Sequence, residues 1–241
     1  MDLILLMLLN NTHYSKKKGV LITGSARRIG KVIAMFLASH GYDIVIHYNT
    51  SQNEALNLKK NIEELYQRVC LILRADLLNF TTLHNIIDHT FQAMPYCNNL
   101  INNASIFYHH TLMQCTELDF DKNYHIHVKV PMFLTQYFTK KCNTTGNIVN
   151  IIDSNITNIK SKYFTYMLSK KSLADLTILS AAELAPKIKV NAICPSHIDD
   201  SVLESISLKQ IMQNNKLKNI LKKIYKLVSV HNNITGKLYF T

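Results

Sequence analysis

Short apolar runs alternate with helix-periodic segments along almost the whole chain, and this alternation leaves few folds open. The apolar runs fall at residues 19–23 (GVLIT), 42–47 (YDIVIH), 69–74 (VCLILR), 98–102 (NNLIN), 146–152 (GNIVNII), 188–193 (IKVNAI) and 237–240 (KLYF). Between them, apolar residues recur at helical spacing: through Val32, Ile33, Phe36 and Leu37, then over 51–67, from 81 onward, and over 118–141, 163–184 and 201–228. Strands separated by helices of this length cannot close as hairpins. They build βαβ units and a parallel sheet covered on both faces. The chain is therefore expected to be α/β, a single doubly wound domain with a central parallel sheet of about seven strands. No repeat beyond these units and no linker marks a second domain, so residues 19–241 are read as one domain and 1–18 as an extension before it.

Two stretches carry chemistry. The first is Gly24-Ser-Ala-Arg-Arg-Ile-Gly30, between the first strand and the first helix. Strand, glycine turn and helix N-terminus together present backbone N–H groups and the positive end of the helix dipole, which favour a bound phosphate. The second is Tyr166-Met-Leu-Ser-Lys170, at the start of a helix-patterned segment. Tyr and Lys four apart lie on one helical face. A phenol is a poor acid or base at neutral pH until a neighbouring ammonium stabilises its anion. Asp153 follows the fifth apolar run, and the C-terminal ends of parallel strands are where open α/β sheets place their chemistry. Asp153 reads either as a helix cap or as a catalytic acid; its place opposite the Tyr/Lys helix favours the second.

Bulk properties exclude several classes. A chain 47% hydrophobic and 18% charged, with four prolines and six glycines, is globular rather than disordered. The formal charge of +11 raises a nucleic-acid or membrane-surface role. The lysines between Lys209 and Lys226, however, share a segment with Ile211, Leu217, Leu221 and Ile224 at helical spacing, the pattern of a solvated helix face. An anionic cofactor also suits a basic protein. Five scattered cysteines without C-x-x-C spacing indicate reduced thiols, no metal site and a cytoplasmic location. The apolar opening, residues 1–9, has an acidic start and no small-residue cleavage site, and is too short to span a bilayer.

Four motifs in order, Thr23-Gly24 with Gly30, Asn102-Asn-Ala104, Tyr166-x-x-x-Lys170 and the Pro195 turn, resemble the short-chain dehydrogenase/reductase family over nearly the whole chain. The resemblance implies a Rossmann-type fold. The departures narrow it. Arg28 stands where the family usually has a third glycine, Asp153 where it has a serine, and Ser105 where its N-N-A-G has the last glycine. With Cys194-Pro195-Ser196 and the segment 126–134, these resemble the pterin-reducing branch, the pteridine reductases and bacterial dihydromonapterin reductases.

That resemblance implies NADPH-dependent reduction of a dihydropterin (dihydromonapterin, dihydrobiopterin or dihydrofolate) to its tetrahydro form. It assigns the cofactor to Gly24, Arg27, Arg28, Ile29, Gly30, His47, Ser51, Asp76, Asn103, Ala104, Ser105, Lys170 and Pro195, with Asp76 at the adenine. Arg28, Ser105, Phe107, Asp153 and Tyr166 would meet the pterin, Phe107 by stacking. Asp153 and Tyr166 would form the proton-donating pair, and Lys170 would hold the nicotinamide ribose and tune Tyr166. The end of the second strand reads Ile46-His-Tyr-Asn-Thr-Ser51 without the acid that binds an NAD ribose, while Arg27, Arg28 and Ser51 suit a 2′-phosphate.

His127 falls where many family members have an asparagine, and reads equally as a water-ordering group or a satisfied core histidine. His109 and His110 read as loop residues. A homo-oligomer is expected; the chain stops at Thr241, before the family's Asp-Gly-Gly segment, so dimer and tetramer both stay open. The rival readings are a general NADPH-dependent carbonyl or acyl-carrier ketone reductase and, outside enzymes, a cofactor-binding scaffold.

Overall fold

A computed structural model describes residues 17–158, 162–199, 203 and 208–241. The 1–9 segment, most of the 1–18 extension, and much of the 197–208 stretch lie outside the described residues. The first strand, β1 (Gly19–Ile22), is buried at every position, as a strand covered on both faces must be. It is followed by α1 (Arg28–Ser39), β2 (Asp43–Tyr48), α2 (Gln52–Tyr66), β3 (Cys70–Arg74), α3 (Leu83–Ala93) and β4 (Cys97–Asn102). The second half runs through α4 (Glu117–Tyr124), α5 (Val130–Lys141), β5 (Gly146–Ile151), α6 (Phe164–Leu184), β6 (Ile188–Cys194), α7 (Leu208–Gln213), α8 (Asn215–Leu227) and β7 (Leu238–Phe240).

The seven strands form one sheet in the order β3-β2-β1-β4-β5-β6-β7, and every pairing is parallel. The expected doubly wound sheet is present. The chain winds outward from β1 in one direction and then from β4 in the other, so a crevice opens at the carboxyl ends of β1 and β4. Helices α1, α2 and α8 cover one face through Val32, Ile33, Leu58, Ile62, Leu221 and Ile224. Helices α3 and α5 cover the other through Ile86, Ile87, Leu134 and Phe138, and α6 joins them over β5 and β6 with Leu173 and Ala174. Ile211, Leu217, Leu221 and Ile224 are all fully buried, and the lysines of α8 (Lys216, Lys218, Lys222, Lys223 and Lys226) ride its outer face.

The sequence departs from the alternating pattern at one place. The periodicity predicts one helix over 118–141, whereas the chain forms α4, then a π-helical turn at His125–Lys129, then α5 with Pro131 in its first turn. Proline lacks the N–H that an uninterrupted α-helix would direct back to residue 127. The π-turn absorbs this and buries Ile126 and His127. The long C-terminal helical segment is likewise broken, at Asn214, which caps α8 by accepting the Leu217 N–H at 3.1 Å.

Buried asparagines lock the middle of the sheet. Asn99 pairs in register with Asn147, and Asn102 with Asn150. Asn147 Nδ2 donates to Asn99 Oδ1 at 3.0 Å, and Asn232 Nδ2 donates to Asn147 Oδ1 at 3.1 Å. On the other face Asn102 Nδ2 donates to Asn150 Oδ1 at 2.8 Å, and Asn150 Nδ2 to Thr177 Oγ1 at 2.9 Å. Such groups are tolerable in a core only when paired, so the ladder fixes where β4 and β5 end. Those ends carry Asn103 and Asp153.

Candidate active site

A cavity of about 710 Å³ lies along the carboxyl edge of the sheet, from the glycine turn and the end of β2 to the end of β6. At its floor, Gly24 has φ +61°, and a Cβ there would approach Ala104 Cα to 2.9 Å. A Cβ on Gly30 would come within 2.6 Å of both Asn103 Nδ2 and Gly24 O. Both positions exclude any side chain, which lets backbone approach a ligand closely. Arg28 also adopts the left-handed region, φ +51°, at the position where the glycine pattern would place a glycine. A non-glycine residue held there costs roughly 1–3 kcal/mol and is characteristic of ligand-binding turns.

The loop after β4 is laced to this turn. Thr23 Oγ1 accepts from the Asn103 and Ala104 N–H groups at 2.9 and 3.0 Å. Asn103 Nδ2 donates to Thr23 O and Gly24 O at 2.9 and 3.0 Å. Its Oδ1 is buried without a partner, an acceptor awaiting a donor at the cavity wall.

His47 lines the cavity, but both its ring nitrogens are committed to the backbone. Nδ1 accepts from Gly24 N–H at 3.1 Å, and Nε2–H donates to Ala75 O at 3.1 Å. Burial pulls its pKa from the ordinary 6.5 to about 4. His47 thus lines the cleft where the sequence reading places it, and through its ring braces the glycine turn against β2 and β3. Beyond it, Tyr48, Asn49, Thr50 and Ser51 line the cleft with no acid among them, and Asp76 closes the rim. Ser51 precedes α2 without capping it. Arg27 and Arg28 stand at the same end, and Arg27 lies 3.8 Å from Glu54 on α2.

At the other end, Tyr166 Oη donates to Asp153 Oδ2 at 3.0 Å. Asp153 Oδ1 accepts from Asn155 N–H at 2.8 Å, so the carboxylate caps a 3₁₀ turn with one oxygen and holds the phenol with the other. The cap reading of Asp153 holds, and the hydrogen bond to Tyr166 puts the same carboxylate beside the phenol. Lys170, 2% exposed, donates from Nζ to Ile151 O at 2.9 Å. Burial lowers its pKa to about 8.

Here one expectation is reversed. The ammonium was expected to lower the phenol's pKa, yet Tyr166 is held well above the phenol range by burial and then by the Asp153 carboxylate. The physical reason is position: Lys170 Nζ lies 5.7 Å from the Tyr166 ring centroid and is bonded elsewhere, whereas the carboxylate takes the phenol's own proton in a hydrogen bond. In this state Tyr166 is a neutral phenol whose proton is held toward Asp153.

Phe107 is half-exposed at the mouth. It stacks on Tyr163 at 4.2 Å and 22°, and meets Tyr166 edge-on at 4.8 Å and 85°. Tyr163 lines the cavity and belongs to the site although its position in the sequence, one residue before a helix, singles it out in no way. Ser105 and Ile106 meet His127, which is 0% exposed: Ser105 Oγ lies 2.8 Å from Nε2, and Ile106 N–H points at the same nitrogen at 3.3 Å. The Ile29, Ala104 and Pro195 positions also line the cleft. The structure therefore gathers every residue expected at the site into one cavity wall and adds Tyr163, with His127 directly behind Ser105.

Sheet order, side-chain-free glycine turn and a buried acid–phenol–lysine cluster at the strand ends together define a Rossmann-type α/β protein with its ligand cleft at the switch point. The sequence comparison agrees: a family profile for short chain dehydrogenases matches residues 18–210. The chain belongs to the short chain dehydrogenase family. It is 26% identical over 215 residues to pteridine reductase 1 of Leishmania tarentolae, covering 73% of this chain and 74% of that protein. It is also 25% identical over 191 residues to the hydroxynaphthalene reductase-like protein Arp2 of Metarhizium anisopliae, covering 78% and 71%. Among solved structures it is similar to FolM alternative dihydrofolate reductase 1 of Brucella suis in complex with NADP, with a TM-score of 0.78, 28% identity and 92% of each chain covered.

Proposed function

We propose that this chain is an NADPH-dependent reductase of a dihydropterin, taking dihydromonapterin, dihydrobiopterin or dihydrofolate to the tetrahydro form. The observation that carries the reading is the Tyr166–Asp153 hydrogen bond beneath an aromatic mouth. A ketone is reduced with one proton delivered to oxygen. A pterin is reduced at a ring C=N and needs an acid poised beside a ring nitrogen, with an aromatic surface for its flat heterocycle.

NADPH, when bound, supplies the hydride. Gly24, Ile29, Gly30, Ala104 and Pro195 would shape its cleft, Arg27, Arg28 and Ser51 would meet a 2′-phosphate or the pyrophosphate, Asp76 would serve the adenine, and Asn103 would serve a ribose hydroxyl through Oδ1. His47 supports this set through Gly24, and Lys170 through its ammonium. Tyr166 holds the proton at Oη and releases it to the substrate nitrogen. Asp153 orients the phenol and passes a solvent proton back to it. Ser105, Phe107 and Arg28 hold the heterocycle. We place the reaction in the cytoplasm, in keeping with five free cysteines.

The direct test is loss of NADPH absorbance with the three dihydropterins offered side by side. Turnover of at least one, reduced at least about 100-fold by Tyr166→Phe, is the expected result; no turnover of any alongside NADPH binding overturns the reading. The similarity to a hydroxynaphthalene reductase-like protein favours a second reading, a carbonyl reductase. Asp153→Ser separates the two: it abolishes pterin reduction under the first and preserves or raises ketone reduction under the second.

A further inference from the structure

The π-turn that interrupts α4 and α5 places His127 behind the active site, and the groups around it leave only one arrangement of protons. Ser169 Oγ donates its single proton to Tyr166 O at 2.8 Å, a carbonyl that can only accept. Ser169 must then accept at its 2.8 Å contact with His127 Nδ1, so Nδ1 carries the proton. Independently, Ile106 N–H points at His127 Nε2 at 3.3 Å, and a backbone N–H requires a lone pair there. The two constraints come from opposite sides of the ring and agree. Burial and the neighbouring Lys170 both hold the imidazole neutral. With Nε2 an acceptor, the 2.8 Å contact to Ser105 Oγ is a hydrogen bond donated by the serine. Its longer contact with Ile106 O, 3.4 Å, cannot take the same proton, because the serine oxygen would then face the bare Nε2 at 2.8 Å; the serine has no second proton to give to the cavity it lines.

We infer that His127 is a positioning residue: it fixes Ser105 as a pure hydrogen-bond acceptor toward the cleft, so that the site takes a substrate edge bearing N–H donors. A hydroxyl free to rotate matches donor and acceptor edges alike, whereas a hydroxyl with its proton already committed rejects a carbonyl edge, because two acceptors would face each other. The identity of the donor edge as an aminopyrimidinone rests on the pterin reading above; the assignment of the protons does not. The same two bonds tie down the 105–106 segment, and with it the base of the Phe107 platform.

The test has two parts on the full-length chain. The first needs no substrate: histidine-selective ¹⁵N labelling and a long-range ¹H–¹⁵N correlation spectrum, with the His127 signals assigned by their absence in His127→Asn. The expected pattern at neutral pH is the Nδ1–H tautomer. An Nε2–H tautomer or an imidazolium overturns the inference. The second separates positioning from packing. Asparagine retains a donor near the Nδ1 place but nothing for Ser105, whereas glutamine returns an acceptor to the Nε2 place.

His127→Asn should raise the KM for dihydrobiopterin on the order of 10-fold with little change in NADPH affinity, and His127→Gln should restore it to within about 3-fold. Ser105→Ala combined with His127→Asn should be no worse than Ser105→Ala alone, because the two act as one unit. Equal losses in both histidine variants, or strictly additive losses in the double variant, overturn the inference. If the wild type turns over no dihydropterin, the pterin reading falls, and the tautomer spectrum still decides the proton assignment.

Discussion

Arg28 shows how much one backbone angle decides. At φ +51° it occupies a conformation that glycine adopts freely, and the chain retains a cation there, at a helix N-terminus where cations are unfavourable. Both penalties are offset if an anion binds. Arg28→Gly is therefore expected to raise the stability of the ligand-free protein by about 1 kcal/mol while weakening NADPH binding on the order of 10-fold, measured by thermal melting and fluorescence titration. His47 makes a second residue-scale prediction. Its pKa of about 4 in the fold against an ordinary 6.5 means that the unfolded chain binds the extra proton first as pH falls. Its contribution is complete above pH 6.5 and is lost progressively down to about pH 4, on the order of 3 kcal/mol. Melting temperatures should fall across that window, and the fall should be shallower in His47→Gln. The motif residues were legible in the sequence; the hydrogen-bond roles of His47 and His127 and the stacking of Tyr163 on Phe107 were not, because each depends on groups from other elements.

Among the elements, the strands were the easiest to read and the helix around His127 the hardest. Buried parallel strands announce themselves as apolar runs, but nothing in the 118–141 periodicity marks where an α-helix widens by a residue; only Pro131 hints at it, and its position N-terminal in α5 is compatible with an unbroken chain path as well. The asparagines in β4 and β5 likewise argue locally against buried strands, since asparagine is depleted in them. They belong there because each finds a partner across the register. Asn147→Ala should leave Asn99 Oδ1 without its partner, while Asn232 Nδ2 keeps Leu227 O and Ile234 O, at a cost of about 1–3 kcal/mol, and should lower the melting temperature by several degrees. An unchanged melting temperature would show the ladder to be dispensable.

At the scale of the whole molecule, the described residues include an exposed apolar stripe on α4, α5 and α6. Leu118 is 59% exposed, Phe120 43% and Met132 42%, and Leu168 on α6 is 38% exposed. Phe120 stacks on Tyr124 at 4.4 Å, and Tyr124, Val128 and Met132 line a shallow groove along the same helices. An apolar stripe of this kind on a folded chain suits an interaction surface, and the homo-oligomer expected from the sequence would have it to bury. Phe120→Asp with Met132→Glu should shift the mass measured by light scattering from oligomer toward monomer; an unchanged mass would place the interface elsewhere. The sequence by itself determined the α/β class, the parallel sheet of about seven strands, the glycine turn and the Tyr166/Lys170 face, because these follow from local spacing, whereas the strand order came from the structure. Tertiary structure decided the partners: which oxygen of Asp153 holds the phenol, that burial and this carboxylate rather than Lys170 dominate the Tyr166 pKa, and which groups meet the two nitrogens of His127. Those depend on burial and on partners brought from distant parts of the chain, and no local pattern encodes them.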